Sequence, residues 1–206
     1  VIAKKTIAEL GGQVVGEEYM PFTVDNFDSS LAKIKETGAD MVFITLVGGA
    51  SVTFNRAFAS FGLSDKVARL GTLIDENTLL GIGAENSKNM FSAASYFANV
   101  ETKEAKAFAR KYTNKFGKKA PVLNALSGSA YDGLIALDTI AERAGSLSTK
   151  KMDSVAEGTE WDSPRGRAKM ANRHLTLDIY LAEAKGTNFK IVKTFPRQNP
   201  GNFCKA

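Results

Sequence analysis

The sequence predicts an α/β fold with a doubly wound, mainly parallel sheet, and three observations support this prediction. Residues 41–47, MVFITLV, form an apolar run without alternation, which is typical of a strand buried on both faces. Gly48 and Gly49 end this run, and residues 51–61 follow with apolar side chains spaced three and four apart, as on one face of a helix. Strand–helix pairs with short connections recur on both sides, as in parallel sheets.

Apolar spacing and glycine positions predict the elements around this strand. Residues 1–10 favour a helix that a glycine pair ends, and residues 13–19 favour a strand. Residues 27–37 favour a second helix, again followed by a glycine. No strand precedes the first helix, so a βαβ unit lacks its first strand. In the helix after residues 41–47, Ser51 is placed to cap the N-terminus.

The pattern of the chain changes after Tyr96, which lies in the fourth predicted strand. The remaining predicted elements are a strand at 67–72, a short helix after the cap Asp75 that ends at Gly81 or Gly83, a strand at 90–97, long helices at 101–116 (cap Thr102) and 124–145, a short helix at 152–156 and an antiparallel hairpin over 175–195. The second long helix carries an apolar stripe that includes Leu134 and Leu137. Because no strand separates the two long helices, we expect them to belong to another lobe.

Composition excludes several classes of function. The 206 residues carry a net charge of +5 spread over helices, without an arginine stripe, so we expect no nucleic-acid partner. No apolar run approaches the roughly 20 residues that cross a membrane. The single cysteine, Cys204, excludes an internal disulfide framework, and its role stays open. The single histidine, His174, is expected in a polar turn before the hairpin, and the sequence has no G-x-S-x-G motif and no metal-ligand or dinucleotide spacing, so we expect no catalytic residue, metal or cofactor.

Two loops remain as candidates for a binding site because both leave the carboxyl end of the predicted sheet. In open α/β folds, ligands bind outside the carboxyl ends of the strands. The first loop offers backbone donors and a hydroxyl, and the second offers two carboxylates. The candidate ligand-binding residues are Leu46, Val47, Gly48, Gly49, Ser51, Leu73, Asp75 and Glu76. Each loop also has a purely structural interpretation, as a glycine turn and as the acidic first turn of a helix.

Several stretches in order resemble a known family. Residues 16–63, GEEYMPFTVDNFDSSLAKIKETGADMVFITLVGGASVTFNRAFASFGL, resemble the second lobe of type I periplasmic solute-binding proteins, most of all the branched-chain amino acid and amide/urea receptors of ABC importers. The supporting stretches are LIDENTLLGIG with AASYF, VETKEAKAFARKYTNKFG with SGSAYDGLIALDTIAERAG, and EWDSPRGRAKM with NRHLTLDIYLAEA. No single motif is diagnostic, but the series covers nearly the whole chain.

The resemblance implies a two-lobed protein of which this chain is a part. Residues 1–95 and 151–206 correspond to the second lobe, and residues 96–150 to a helical piece of the first lobe, with hinges near Tyr96 and Ser148. Most of the first lobe is absent, so we expect a fragment, with any signal peptide outside this sequence. The implied location is the periplasm, and the implied partner is an ABC permease in the membrane.

The resemblance also implies the function: a small ligand (an amino acid, an amide, or an aromatic or aliphatic acid) binds between the lobes without chemistry. Amino-acid receptors of the family often have an aromatic residue in the first loop, where this chain has Val47, Gly48 and Gly49, which leaves room for a bulkier or less polar ligand. An acid for a ligand ammonium is expected from Asp75 or Glu76. The alternatives are a ligand-sensing regulator of the same fold and, less favoured, an α/β enzyme.

Overall fold

A computed structural model describes residues 2–117 and 119–201, so Cys204 lies outside the described residues. The helices are α1 (Ile2–Glu9), α2 (Asp28–Thr37), α3 (Gly49–Ser60), α4 (Glu76–Ile82), α5 (Lys103–Phe116), α6 (Ala125–Ala144) and α7 (Thr149–Ala156). The strands are β1 (Met41–Ile44), β2 (Ala68–Gly71), β3 (Met90–Ala94), β4 (Glu160–Ser163), β5 (Gly166–Ala171), β6 (His174–Lys185) and β7 (Asn188–Gln198). None of the helices in the described ranges is long and apolar enough to span a bilayer.

One sheet joins these strands in the order β1-β2-β3-β6-β5-β4, and β7 pairs with β6. β1, β2 and β3 are parallel, and the C-terminal strands are antiparallel, which confirms the α/β class and the terminal hairpin. The long strand β6 changes neighbours along its length. Its first residues, up to Thr176, pair with β5, whereas Tyr180 and the residues after it pair with β3.

Three apolar clusters lie on this sheet. The largest joins α4, β3, the connection 95–100, α5 and the β6–β7 hairpin, with Leu79, Met90 and Phe97 fully buried. A second cluster packs α2 and α3 around Phe58 near β1. A third, around Trp161, packs β4, β5 and the start of β6 against α6. Together, the helices α5 and α6 therefore contact both the parallel and the antiparallel parts of the sheet.

The predicted strand at 13–19 is wrong, because this segment is irregular in the structure. Val15 is half exposed there, and Tyr19 is 87% exposed. Strands need a neighbour to bond their backbone groups, and no strand lies beside this segment among the described residues. The same absence affects β1, which has β2 on one side only. Its residues Met41 and Phe43 are about half exposed, so the prediction of burial on both faces is also wrong.

The predicted cap of α3 is a second correction. Ser51 lies inside the first turn of the helix instead of capping it, and the capping position belongs to Gly48. Gly48 has φ +60°, a left-handed conformation that glycine adopts without a steric cost. The chain therefore enters α3 three residues earlier than a cap at Ser51 would place it. The predicted caps Thr102 of α5 and Asp75 of α4 are confirmed, since each accepts a hydrogen bond from its own helix.

Candidate functional site

The two candidate loops leave the same edge of the parallel sheet. Ile44, the last residue of β1, is in register with Gly71, the last residue of β2. The Thr72 amide donates to the Ile44 carbonyl at 3.3 Å, so the second loop begins beside the first. The structure thus brings together the predicted residues of loops 46–51 and 72–76 at the carboxyl ends of two neighbouring strands.

The surface that these loops expose is neutral and largely apolar. Val47 is 52% exposed and Leu73 is 47% exposed, and Gly48 and Gly49 lie open between the strand and the helix. Leu46 is only partly exposed, because it packs on the cluster around Phe58. No charged residue occurs in 45–49 or 72–73. This edge therefore offers van der Waals contact to a ligand, without an ionic partner.

The N-terminus of α3 adds hydrogen-bond donors to this edge. The first backbone N–H groups of a helix have no acceptor within the helix, and the helix dipole makes this end positive. In α3 these groups belong to Gly49 and the two residues after it, next to the exposed Val47. The hydroxyl of Ser51 is fully buried and has no hydrogen-bond partner among the described residues. Because Ser51 is fully buried, a ligand oxygen at this edge has as donors the N–H groups of Gly49 and Ala50, which are not buried.

Asp75 is already engaged within the protein. Its Oδ1 accepts from the Thr78 backbone N–H and from the Thr78 hydroxyl, both at 2.8 Å. Its Oδ2 accepts from Asn124 Nδ2 at 2.8 Å. Asn124 in turn caps α6, accepting from the Ser127 amide at 2.9 Å. The carboxylate therefore joins the caps of α4 and α6, and both of its oxygens have donors.

Glu76 is buried away from the exposed edge. Its side chain is only 5% exposed, and its Oε1 accepts from the Ala98 backbone N–H at 2.6 Å. Burial is the main cause that raises the pKa of Glu76 to about 7, and the neighbouring Asp75 adds a smaller upward effect. The nearby Tyr96 hydroxyl is also buried, and burial raises its pKa to about 12. Neither carboxylate of this loop is free to meet a cation at the exposed edge.

A buried ion pair that the sequence did not reveal lies between α6 and the β4–β5 turn. Asp132 Oδ2 accepts from Arg165 Nε at 3.1 Å, and Asp132 Oδ1 accepts from Trp161 Nε1 at 2.7 Å. Arg165 also donates to the hydroxyls of Ser95, at 3.4 Å, and Ser129, at 3.2 Å. The pair therefore fixes α6 against both the turn and the end of β3. Within 2–117 and 119–201, no three His, Cys, Asp or Glu side chains are grouped to hold a metal ion.

Comparison with protein families gives a match over most of the chain. The family described as "Periplasmic binding protein" matches residues 2–188. The chain belongs to this family. Leu/Ile/Val-binding protein homolog 6 of Brucella melitensis is 30% identical to it over an alignment of 211 positions, which covers 96% of this chain and 54% of the relative. The chain thus spans about half the length of the curated relatives it matches.

Solved structures agree with this assignment. A solute-binding protein of an ABC transporter from Rhodopseudomonas palustris HaA2, in complex with p-hydroxybenzoic acid, is 30% identical with a TM-score of 0.87, over 98% of this chain and 58% of that one. A second R. palustris solute-binding protein, in complex with 4-hydroxybenzoate, is 28% identical with a TM-score of 0.83 and the same coverage. A leucine-binding protein from Thermotoga maritima, 19% identical with a TM-score of 0.80 over 93% of this chain and 54% of that one, shares the fold.

The interpretation of Asp75 as a connecting cap gives a first testable expectation. Asp75→Ala removes the cap of α4 and the bond to Asn124, so we expect the free energy of unfolding to fall by about 1–2 kcal/mol. Urea denaturation measures this loss, and the exposed Asp40→Ala is the control that should leave stability unchanged. If Asp75 instead binds a ligand ammonium, the variant weakens cationic ligands only and leaves the stability of the free protein intact.

Proposed function

We propose that this chain supplies half of the ligand cleft in the solute-binding component of an ABC importer, and that the ligand is a small aromatic carboxylate of the 4-hydroxybenzoate class. The single observation behind this choice is the neutral, apolar edge at Val47 and Leu73, beside the free N–H groups of α3. The apolar side chains contact the ring, and the backbone donors bind a ligand oxygen. The two R. palustris relatives, in complex with 4-hydroxybenzoate, support the same ligand class.

The state of the two carboxylates argues against an amino-acid ligand. An ammonium group that leaves water needs a charged or strongly polar partner, because an unpaired buried charge costs several kcal/mol. Both oxygens of Asp75 already accept hydrogen bonds, and Glu76 is buried against Ala98. A carboxylate ligand without an ammonium group avoids this cost.

The proposal keeps the two-lobed organisation and the export to the periplasm that the family implies. The resemblance implies that residues 1–95 and 151–206 lie in one lobe and residues 96–150 in the other, with the permease as partner, and we propose one change to these bounds. The packing of β4 and β5 on α6 supports moving the second hinge from Ser148 into β6. There, between Thr176 and Tyr180, the strand changes its neighbour from β5 to β3. Ligand binding then favours the closed state through contacts made by both lobes.

A thermal-shift screen on the complete natural chain tests the ligand class. We expect 4-hydroxybenzoate and benzoate to raise the melting temperature, since a ligand that binds only the folded state stabilises it by mass action. Leucine and acetamide should have no effect at equal concentration. Stabilisation by leucine without stabilisation by either benzoate would contradict the proposed ligand and return the preference to an amino acid.

A charge reversal at the apolar edge tests the position of the ligand. We expect Leu73→Asp to weaken binding of 4-hydroxybenzoate at least about tenfold, because it replaces an apolar contact by a charge of the same sign as the ligand. Isothermal titration calorimetry measures the affinity. Leu10→Asp is the matched control, because Leu10 is 82% exposed after α1, remote from both loops in the sequence. Equal affinities for the two variants would argue against the proposed edge.

A further inference from the structure

The net positive charge of the chain is concentrated in one segment. Residues 103–119 contain seven Lys or Arg and one Glu, a net charge of +6. The whole chain carries +5, so the other 189 residues, with 20 basic and 21 acidic side chains, carry a net charge of −1. Basic residues occur in other helices as well, but over the rest of the chain acidic residues balance them. This segment therefore accounts for the whole net charge.

Helix α5, which forms most of this segment, exposes its basic side chains to solvent. Its residues Ala105 and Phe108 are buried in the largest apolar cluster. The basic face of α5 consists of its exposed Lys and Arg residues, which are Lys103, Lys106, Arg110, Lys111 and Lys115. The helix has 14 residues and is about 21 Å long, at 1.5 Å for each residue. The charges therefore cover an extended surface and are not gathered in one pocket.

The charges of this face are mostly unpaired. Within the described ranges, Lys106 is the one residue of the face that forms an ion pair, with the exposed Glu101 at 3.9 Å. Elsewhere in the chain cations lie closer to acids, as Arg167 does to Asp162 at 2.8 Å. Glu104, in the first turn, is the only acid in the sequence of α5. The basic face therefore presents a net positive charge to a partner.

A shallow hollow of about 330 Å³ lies at the C-terminal end of α5. Its lining residues are Tyr112, Phe116, Lys119, Ala120 and Pro121. Phe116 is 59% exposed, and Nζ of Lys115 lies 5.7 Å from the centroid of its ring. An exposed ring beside lysines suits the interface of a bilayer, because the ammonium groups meet the lipid phosphates while the ring enters the headgroup region.

We propose that the basic face of α5 binds the surface of an anionic lipid bilayer, with Phe116 entering the headgroup region. Groups of about four to eight Lys and Arg on a helix are typical of anionic-lipid binding. Six of the seven basic residues in 103–119 are Lys. A lysine ammonium is a point charge that suits loosely arranged phosphates, whereas the planar Arg guanidinium is favoured in bidentate contacts with carboxylates. The length and the lysine content of the face therefore favour a bilayer over an acidic protein segment.

This inference goes beyond the proposed transport function, because it concerns a surface on α5 and not the edge at Val47 and Leu73. No ligand of the cleft enters its test, so the result does not depend on the ligand class. The two proposals can therefore fail separately.

Sedimentation of the complete natural chain with large unilamellar vesicles tests the proposal. The vesicles contain phosphatidylcholine alone, or phosphatidylcholine with about 30% phosphatidylglycerol, which gives their surface a negative potential. We expect binding to the anionic vesicles at about 0.05 M salt, and an affinity at least about tenfold lower at about 0.5 M salt, because salt screens the attraction. Equal results with both kinds of vesicle, absence of binding included, overturn the proposal. Binding to polyglutamate without binding to the anionic vesicles also overturns it and indicates an acidic protein partner.

Two triple variants distinguish the basic face from the net charge. The test variant combines Lys103→Glu, Lys106→Glu and Arg110→Glu, and the control combines Lys35→Glu, Lys66→Glu and Lys190→Glu, all at exposed positions. Both variants change the net charge equally, but the control leaves α5 intact. We expect the test variant to bind anionic vesicles at least about a hundredfold more weakly, since each basic residue at such a surface contributes roughly fivefold in affinity. Equal weakening by the two variants overturns the proposed face.

Phe116→Trp tests whether this end of α5 enters the bilayer. With brominated lipids in the anionic vesicles, we expect quenching of the new tryptophan, because an indole in the headgroup region lies close to the acyl chains. Trp161, the only tryptophan of the sequence, is 4% exposed, and the wild type measured in parallel gives its background. Binding of Phe116→Trp to the anionic vesicles without additional quenching overturns the proposed entry of this residue into the headgroup region.

Discussion

Asp132→Ala is expected to lower the free energy of unfolding by about 3–5 kcal/mol, the largest loss that we predict for this chain. Asp132 is fully buried on α6, and Arg165 is 8% exposed. Removing the carboxylate leaves the Arg165 guanidinium without its counter-charge and leaves the Trp161 indole N–H without its acceptor. Breaking one side of a buried ion pair costs far more than the pair itself contributes. Guanidinium chloride denaturation measures the loss.

The double variant Asp132→Leu with Arg165→Met distinguishes the cost of leaving one charge unpaired from the cost of changing a buried position. Replacing both charges by apolar groups of similar size removes the unpaired charge, so we expect it to recover most of the stability. Asp138→Ala, at an exposed position on the same helix, should change the free energy of unfolding by less than about 0.5 kcal/mol. A loss below about 1 kcal/mol for Asp132→Ala would mean that the pair is not closed off from water as described.

The helices and their caps were predictable because their signals are local. Thr102 precedes the charged first turn of α5 and caps it, and Asp75 caps α4 in the same way. In both cases the side chain bonds an amide three residues along the chain, so a short window of sequence contains the whole interaction. The double glycine at 48–49 correctly marked the start of α3, but the predicted cap Ser51 was wrong, because Gly48 takes the capping position through its backbone conformation and not through a side chain.

The elements that failed depend on partners elsewhere in the chain. Residues 13–19 have the apolar content of a strand, but a strand forms only beside another strand. Leu134 and Leu137 were predicted to form an apolar stripe on α6, yet they are 68% and 52% exposed. The opposite face of α6 is buried instead, through Asp132 and Gly128, because the ion pair and the close approach of Tyr96 lie there.

The adjacency of the two candidate loops was predictable, but the contacts of their side chains were not. The order of strands along the chain was enough to bring the loops after β1 and β2 to one edge. The hydrogen bond from Asn124 to Asp75 could not be predicted, because the two residues are 49 positions apart and the two caps meet only in the folded chain. The pattern Asn124-x-x-Ser127 forms a capping box in the structure, a local interaction that marks the start of α6 but carries no information about its contact with α4.

Glu76→Gln is expected to stabilise the protein by about 3 kcal/mol at pH 8 and to flatten its pH dependence. Burial raises the pKa of Glu76 in the folded protein from 4.5 to about 7. The folded state therefore holds a proton that the unfolded chain has lost, and this favours folding at low pH. The contribution is full below about pH 4.5 and is lost as the pH rises through 7, and a shift of roughly two units or more corresponds to about 3 kcal/mol.

Comparing Glu76→Gln with the wild type separates the pH effect of Glu76 from the effects of the other carboxyl groups. Hydrogen bonds from Lys4 and Lys33 lower the pKa of Glu17 and Glu18. The contribution of these two groups to protein stability is therefore lost as the pH falls, which is opposite in sign to the effect of Glu76. Both proteins share these groups, and subtracting the variant's free energy of unfolding from that of the wild type, at each pH from 4 to 8, removes them. Because the amide keeps an acceptor for Ala98, the remaining difference reports the charge alone. A difference that does not change with pH would mean that Glu76 is ionised in water and not buried.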